Sequence, residues 1–356
     1  MKAKRALSRR SFIKRTVGAA AAAFGVPGIA RTQIPRAEST VLKTTAWGGK
    51  WGEVMKAQVI PAFEREFKCK VHVDTAAPFF PKLQATPRNA PLYDVLHANT
   101  NSQWQAASEG LIEPGIDVKN VPNIAEVFPY AISDKMVGVS IFTNAIGFGY
   151  RTDKTIPTPK SWKDLANPDF AGRRGSYIIP ANSLGQMHLM MLGKIYGKGL
   201  TDLDAACQAL DQLKPIKTFD FTGQMEKALL SGEVTIGVLH DSGVYRYAGE
   251  NQPIEFAAPH EGVLALEQVL AITPGSKVKE LAYAWIDFML RPDIQKTLAE
   301  AVWYSPSNRN VKLDAQYDAR LYNTEAKVSQ LIQVDWNWYN AHKDEIDARV
   351  MRILRG

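Results

Sequence analysis

Val41-Leu42-Lys43-Thr44-Thr45-Ala46-Trp47-Gly48-Gly49-Lys50-Trp51, running on through Pro61-Ala62-Phe63-Glu64 to Lys70-Val71-His72-Val73-Asp74, is the stretch that decides the fold. Val41 to Ala46 is rich in β-branched residues and reads as a strand that stops at Trp47-Gly48-Gly49. Trp51, Met55, Val59, Phe63 and Phe67 then recur every four residues, an apolar helical stripe. Pro61 interrupts the stripe and opens a second helical piece, because it lacks the N–H that a helix interior needs. Lys70 to Asp74 is the next strand.

The pattern repeats outward. A short helix begins over Pro81 to Ala85, Asp94 to His97 is a strand ending at Asn99-Thr100-Asn101, and Gln103 to Glu109 is helical up to Gly110. Strand and helix in alternation predict a mostly parallel sheet covered by helices. In such sheets ligands sit beyond the carboxyl ends of the strands, which makes Trp47-Gly48-Gly49 and Asn99-Thr100-Asn101 the first site candidates. Farther along, Val139 to Phe142 and Ile146 to Tyr150 read as two short strands. A second α/β unit follows, with strands over 175–179 and 234–239 and helices over 184–196, 202–213 and 222–230. Strand 268–272 and helices near 278–290 and 294–301 complete it. About 320 residues follow the leader, more than one hydrophobic core usually serves, so two lobes are expected. Cys69 and Cys207 stand far apart in element-like stretches and read as two buried thiols, not a disulfide framework.

The leader has its own chemistry. Ser8-Arg9-Arg10-Ser11-Phe12-Ile13-Lys14 precedes an Ala/Gly-rich run from Thr16 to Ile29, too short to span a membrane. Paired arginines with Phe two positions on are the signature of twin-arginine export, so residues 1–30 are expected to be a signal peptide, with cleavage as late as 37. The periplasm is then the expected destination. Of the formal charge of +7, Lys2, Lys4, Arg5, Arg9, Arg10, Lys14 and Arg15 supply seven before Ala30, leaving 0. Removing Arg31 and Arg36 as well gives 7 − 9 = −2. The basic balance belongs to the precursor and is no nucleic-acid footprint.

Several motifs in fixed order carry a family resemblance: Trp47-Gly48-Gly49 with Trp51; Pro61-Ala62-Phe63-Glu64; Lys82-Leu83-Gln84; Tyr93-Asp94-Val95; Ser161-Trp162-Lys163-Asp164-Leu165; Ser231-Gly232-Glu233-Val234; Asp287-Phe288-Met289-Leu290-Arg291-Pro292-Asp293; and Tyr304-Ser305-Pro306-Ser307-Asn308. From about Val41 to Asn310 the chain resembles the periplasmic solute-binding proteins of ABC importers, in particular the spermidine/putrescine-binding group. The resemblance implies an α/β, two-lobed type 2 periplasmic-binding-protein fold with a ligand cleft between lobes joined by crossover strands. Lobe one would be 41–145 plus 267–312, and lobe two 146–266 plus 313–356. It also implies a monomer that binds a small-molecule ligand by hinge closure and delivers it to permease subunits, with no cofactor or metal and no chemical turnover.

Site positions carry over one at a time. Trp47 matches the aromatic after the first strand, with Gly48 and Gly49 standing where relatives place an acid; Trp51 lies close by. Thr100, flanked by Asn99 and Asn101, matches the second strand end. Asp241 falls where some relatives carry an acid, and Tyr304 matches an aromatic near the crossover. Ser183, beside Asn182, and Gln268 replace two further acids, while strand alternation points Glu267 the other way. One carboxylate remains where a diamine wants two or more, which favours an amino-acid-like zwitterion or monoamine over spermidine. Each residue also has a plainer reading: Trp47, Trp51 and Tyr304 as packing aromatics, Asp241 and Asn182-Ser183 as caps, and Gln268 as solvent-facing. A carboxylate or other anionic solute, or a sensor-linked binding module, are the alternatives.

Catalytic constellations do not survive inspection. His240-Asp241-Ser242 holds triad residue types, but strand neighbours are expected to face opposite ways. The histidines show no metal-ligand spacing, and Gly48-Gly49-Lys50 lacks the frame of a phosphate loop.

Overall fold

The computed structural model describes residues 40–132, 138–154 and 157–355. The leader, with Arg9 and Arg10, lies outside them. Strand β1 (Val41–Thr45) leads to helix α1 (Gly49–Val54), a π-helical turn over Met55–Val59 and α2 (Ile60–Phe67). Trp51, Met55, Val59 and Phe63 are all buried, as the four-residue spacing predicts. A 3.6-residue helix drifts away from a strict four-residue repeat. The wider π turn, in which the Ile60 N–H bonds to the Met55 carbonyl, takes up that drift. It also places Pro61 in the first turn of α2.

Strand β2 (Lys70–Asp74), helix α3 (Phe80–Gln84), strand β3 (Val95–Asn99) and helix α4 (Thr100–Ser108) follow, and β1 runs parallel to both β2 and β3. Helix α4 starts three residues before the expected Gln103, because the Asn99 side chain caps it by accepting the Ser102 N–H at 3.2 Å. The predicted strand pair over 139–150 is a single strand, β4 (Val139–Arg151). Thr143 and Asn144 mimic a loop in the sequence, yet both are buried in its middle.

The chain continues through β5 (Arg174–Tyr177), α5 (Ser183–Tyr196), α6 (Leu203–Gln212), β6 (Lys217–Phe219), α7 (Thr222–Ser231) and β7 (Ile236–His240). Helix α8 (Asp241–Gly249) and strand β8 (Ile254–Ala257) come next, neither anticipated. Strand β9 (Val263–Ile272) is ten residues long, twice the expected stretch. Helices α9 (Lys279–Met289) and α10 (Pro292–Val302) lead to β10 (Ser305–Pro306), then α11 (Ala315–Asp318), α12 (Glu325–Val328), β11 (Leu331–Ile332), α13 (Trp336–Ala341) and α14 (Lys343–Arg355).

The strands form one hydrogen-bonded array in the order β2-β1-β3-β9-β4-β7-β5-β6. Its centre is the antiparallel pair β4·β9, with β3 antiparallel to β9 on one side and β7 antiparallel to β4 on the other. Both central strands are buried along nearly their whole length, which requires near-continuous apolar sequence and explains why alternation was a weak signal there. Beyond them lie two parallel halves, β2-β1-β3 and β7-β5-β6. Residues after Lys312 reach both halves: β11 pairs with β9, α13 packs against α4, and α14 packs against α6. Cys69 and Cys207 are buried free thiols, as expected.

Candidate functional site

The site grows from the places where strands end and helices begin. At the end of β3, Asn99 caps α4; at the start of α5, Asn182 caps the Leu184 N–H at 2.9 Å and donates to the Asp220 carbonyl at 2.8 Å. These two helix starts meet. Asn99 Nδ2 donates to Ser183 Oγ at 3.3 Å, and Asn101 Nδ2 to Gln186 Oε1 at 2.6 Å. Thr100 is turned differently, its hydroxyl donating to Glu267 Oε2 at 2.6 Å. Glu267 faces away from Gln268, as alternation requires, but into a buried site where Oε1 also accepts from Gln333 Nε2 at 3.1 Å.

A second array crosses the central strands. Trp47 Nε1 donates to Gln268 Oε1 at 2.6 Å, Gln268 Nε2 to Asn144 Oδ1 at 3.2 Å, and Asn144 Nδ2 to Ser242 Oγ at 3.1 Å. Ser242 Oγ lies 2.8 Å from His240 Nδ1, which also accepts the Gly243 N–H at 3.0 Å. The imidazole nitrogen is therefore an acceptor, and the serine hydroxyl donates to it. One continuous chain of bonds thus runs from the loop after β1, through β9 and β4, to the first turn of α8. Gln268 is buried within it and does not face solvent.

The strand geometry expected through His240-Asp241-Ser242 does not extend to Ser242, and His240 and Ser242 meet. The strand ends at His240, and the turn into α8 swings the two side chains together. The pair is a cap and not a relay. Burial pushes His240 down to about 4, and both its Nδ1 lone pair and the Ser242 hydroxyl are already engaged.

Asp241, between them, is fully buried. Its Oδ1 accepts the Ser242 N–H at 2.8 Å, while Oδ2 has no hydrogen-bond partner among the described residues. Burial pushes its carboxyl up to about 7, outweighing the opposing pull of the Ser242 N–H and Asn144. A buried carboxylate with a bare oxygen is costly unless a cation meets it.

Aromatic rings stand beside this acid. Tyr304 lies within the field of Asp241, and its ring is 5.2 Å from that of Trp51. Trp51 packs further against Phe142 at 5.7 Å and His97 at 5.3 Å, and is 3% exposed, a wall of the core. Trp47, half-buried, touches His97 at 5.9 Å and Phe79 at 5.6 Å. Burial holds His97 neutral, pushed down to about 3. Gly48 and Gly49 are exposed between the two tryptophans, and Gly49 takes a φ of 58°, a conformation that favours glycine.

Of the residues singled out, Trp47 and Gln268 thus join Asp241's turn through one bonded chain, Trp51 and Tyr304 form the adjoining ring cluster, and Asn99, Asn101 and Ser183 meet at the facing helix starts. Asn182 turns to the Asp220 carbonyl and Thr100 to Glu267. Residues that sequence reasoning passed over are Asn144, hidden by its place in a misread strand break, and Glu226, which carries no local signal in an ordinary helix. A depression of about 480 Å³ lined by Ser161, Lys163, Lys194, Ile195, His260 and Glu261 shares no residue with these arrays.

Residues 58–322 match the family described as bacterial extracellular solute-binding protein. The chain is 27% identical over 272 residues to the spermidine/putrescine-binding periplasmic protein of Salmonella typhimurium, covering 72% of this chain and 76% of that one. It is 26% identical over 294 residues to the thiamine-binding periplasmic protein of Escherichia coli, covering 78% and 83%. Among solved structures, a putative extracellular solute-binding protein of Bordetella parapertussis superposes with a TM-score of 0.76 at 25% identity, covering 88% of this chain and 98% of that one.

Proposed function

The chain belongs to the bacterial extracellular solute-binding proteins and is the solute-binding component of an ABC importer, not an enzyme; we propose that it captures a small solute bearing one ammonium or amidine group. The observation that carries this reading is Asp241, buried with a bare Oδ2 beside Tyr304. A cation there would gain a desolvated charge pair and the face of an aromatic ring. The polar groups at the starts of α4 and α5, with Gln268, would hold a neutral or carboxylate end. Polyamines and thiamine, named for the two relatives above, share cationic nitrogen, which fits the same reading. An anionic solute is the second reading, supported by the meeting of two helix starts, whose N–H groups favour negative charge.

The fold is of the two-lobed type 2 kind, and the lobes proposed are 41–145 with 267–312, and 146–266 with 313–356, a segment that also touches lobe one through α13 and Gln333. The ligand would bind between them and favour the closed arrangement by touching both. A thermal-shift screen of polyamines, monoamines, amino acids, betaines, thiamine and carboxylates tests the ligand. Monocationic amines are expected to stabilise most. Dominance of spermidine or putrescine would remove the single-amine reading, and dominance of dianions would favour the second.

Among the described residues no helix is long and apolar enough to cross a membrane. Export to the periplasm by the twin-arginine route fits Arg9-Arg10 and the periplasmic relatives. Replacing both arginines by lysine should hold the precursor in the cytoplasm; unchanged export of that variant would exclude the route.

A further inference from the structure

A second acid lies at the same helix turn as Asp241 and already has a cation. Glu226, on α7, is buried, and its carboxylate sits over the first turn of α8, where a Cβ at Gly243 would collide with Oε1. Glu226 Oε1 is 3.9 Å from His240 Nε2, and Oε2 is 3.3 Å from Arg246 Nη2 and 3.4 Å from the Tyr247 hydroxyl. The Arg246 guanidinium is steadied 4.5 Å above the Tyr247 ring. Tyr304 lies in the fields of Asp241, Glu226 and Arg246 together. Two buried carboxylates therefore flank one helix start, one bare and one neutralised from within the chain.

We propose that Arg246 is a specificity-determining residue that takes, on Glu226, the place a second ammonium of a diamine would occupy, so that the site admits monoamines and rejects diamines. The inference rests on the amine reading of the site. His240 cannot supply the missing charge, since burial keeps its ring neutral. Without Arg246, Glu226 is left as a buried acid that can be satisfied by protonation or by an incoming cation. A diamine reaching past Asp241 supplies that cation. With Arg246 in place, its second ammonium meets a guanidinium that already holds the Glu226 carboxylate, and the like-charge juxtaposition disfavours it.

The test compares 4-aminobutan-1-ol with 1,4-diaminobutane, equal in length and differing by one charge, using calorimetric titration of the full exported chain. The native protein is expected to bind the amino alcohol more tightly. Arg246→Met should swing the ratio of dissociation constants more than tenfold toward the diamine. Adding Glu226→Gln should abolish the swing. Should Arg246→Met fail to fold, Arg246→Gln keeps donors without charge and serves the same comparison. An unchanged ratio in the arginine variant, or a swing that survives loss of Glu226, overturns the role of Arg246 while leaving the amine site standing. Binding of neither amine by the native protein removes the amine reading and this inference with it.

Discussion

Asp241 is fully buried at the start of α8, with Oδ2 unpartnered among the described residues. Its candidacy was legible from the resemblance, as was the expectation that Ser183 and Gln268 replace acids. Its depth was not, because burial is a property of β4, β7 and α8 together. The acid at Glu226 was invisible for the same reason: a glutamate in a helix is ordinary until its neighbours exclude water. A pH dependence follows from the geometry of Asp241. In the free protein its carboxyl titrates near 7 against an ordinary 3.8. Between those values the folded protein holds a proton that the unfolded chain has lost, so the stability of the free protein declines as pH rises through that window. A bound cation favours the ionised form. Amine affinity should therefore rise with pH, by up to about tenfold per unit, and level off above about 7. Tyr245, Tyr304 and Tyr322, raised by burial, stay neutral there, and His240 stays uncharged. Asp241→Asn should flatten this profile and cost about 1.5–3 kcal/mol, ten- to a hundredfold in affinity. Calorimetry across pH reads both, and a profile that persists in the asparagine variant would assign the proton elsewhere.

At the scale of elements, alternation and capping carried most of the reading. The parallel unit β1-α1-α2-β2 was legible because one face of each element is apolar. Strands β4 and β9 were cut short because both faces are buried, and because Asn144, Glu267 and Gln268 look like turn or surface residues until their partners are counted. Strand β4 is also held to close approach by glycine. A Cβ at Gly147 would stand 2.6 Å from the Ala257 carbonyl oxygen and 2.9 Å from the Phe256 ring, so β8 cannot keep its pairing with β4 unchanged. Gly147→Ala should destabilise the protein by about 1–3 kcal/mol, read as a lower urea midpoint. A midpoint equal to that of the native chain would mean β8 yields freely.

For the whole molecule, two sets of contacts between the halves of the sheet bear on closure. One set is continuous with the sheet: β4 and β9 run through the centre, and the chain after Lys312 is fastened to both halves. Its Gln333 bonds Glu267, Lys214 Nζ donates to the Ile353 carbonyl at 2.9 Å, and Arg349 pairs with Asp204 at 2.7 Å. A second set joins the helix starts of α4 and α5, through Asn99–Ser183 and Asn101–Gln186. If the lobes swing about the central strands, the second set must break and the first must persist. Replacing Asn101 and Gln186 together by alanine should then favour the open form without touching Asp241. The free variant should show a larger radius of gyration in solution scattering, and saturating ligand should restore the compact value. Affinity should fall for every ligand as the competent fraction shrinks, and further for ligands whose neutral or carboxylate end those side chains hold. The larger radius of the free variant separates a closure variant from Asp241→Asn or Arg246→Met, which change the charge that the ligand meets. A radius unchanged in the alanine pair, with or without ligand, would place the closing contacts elsewhere than between α4 and α5.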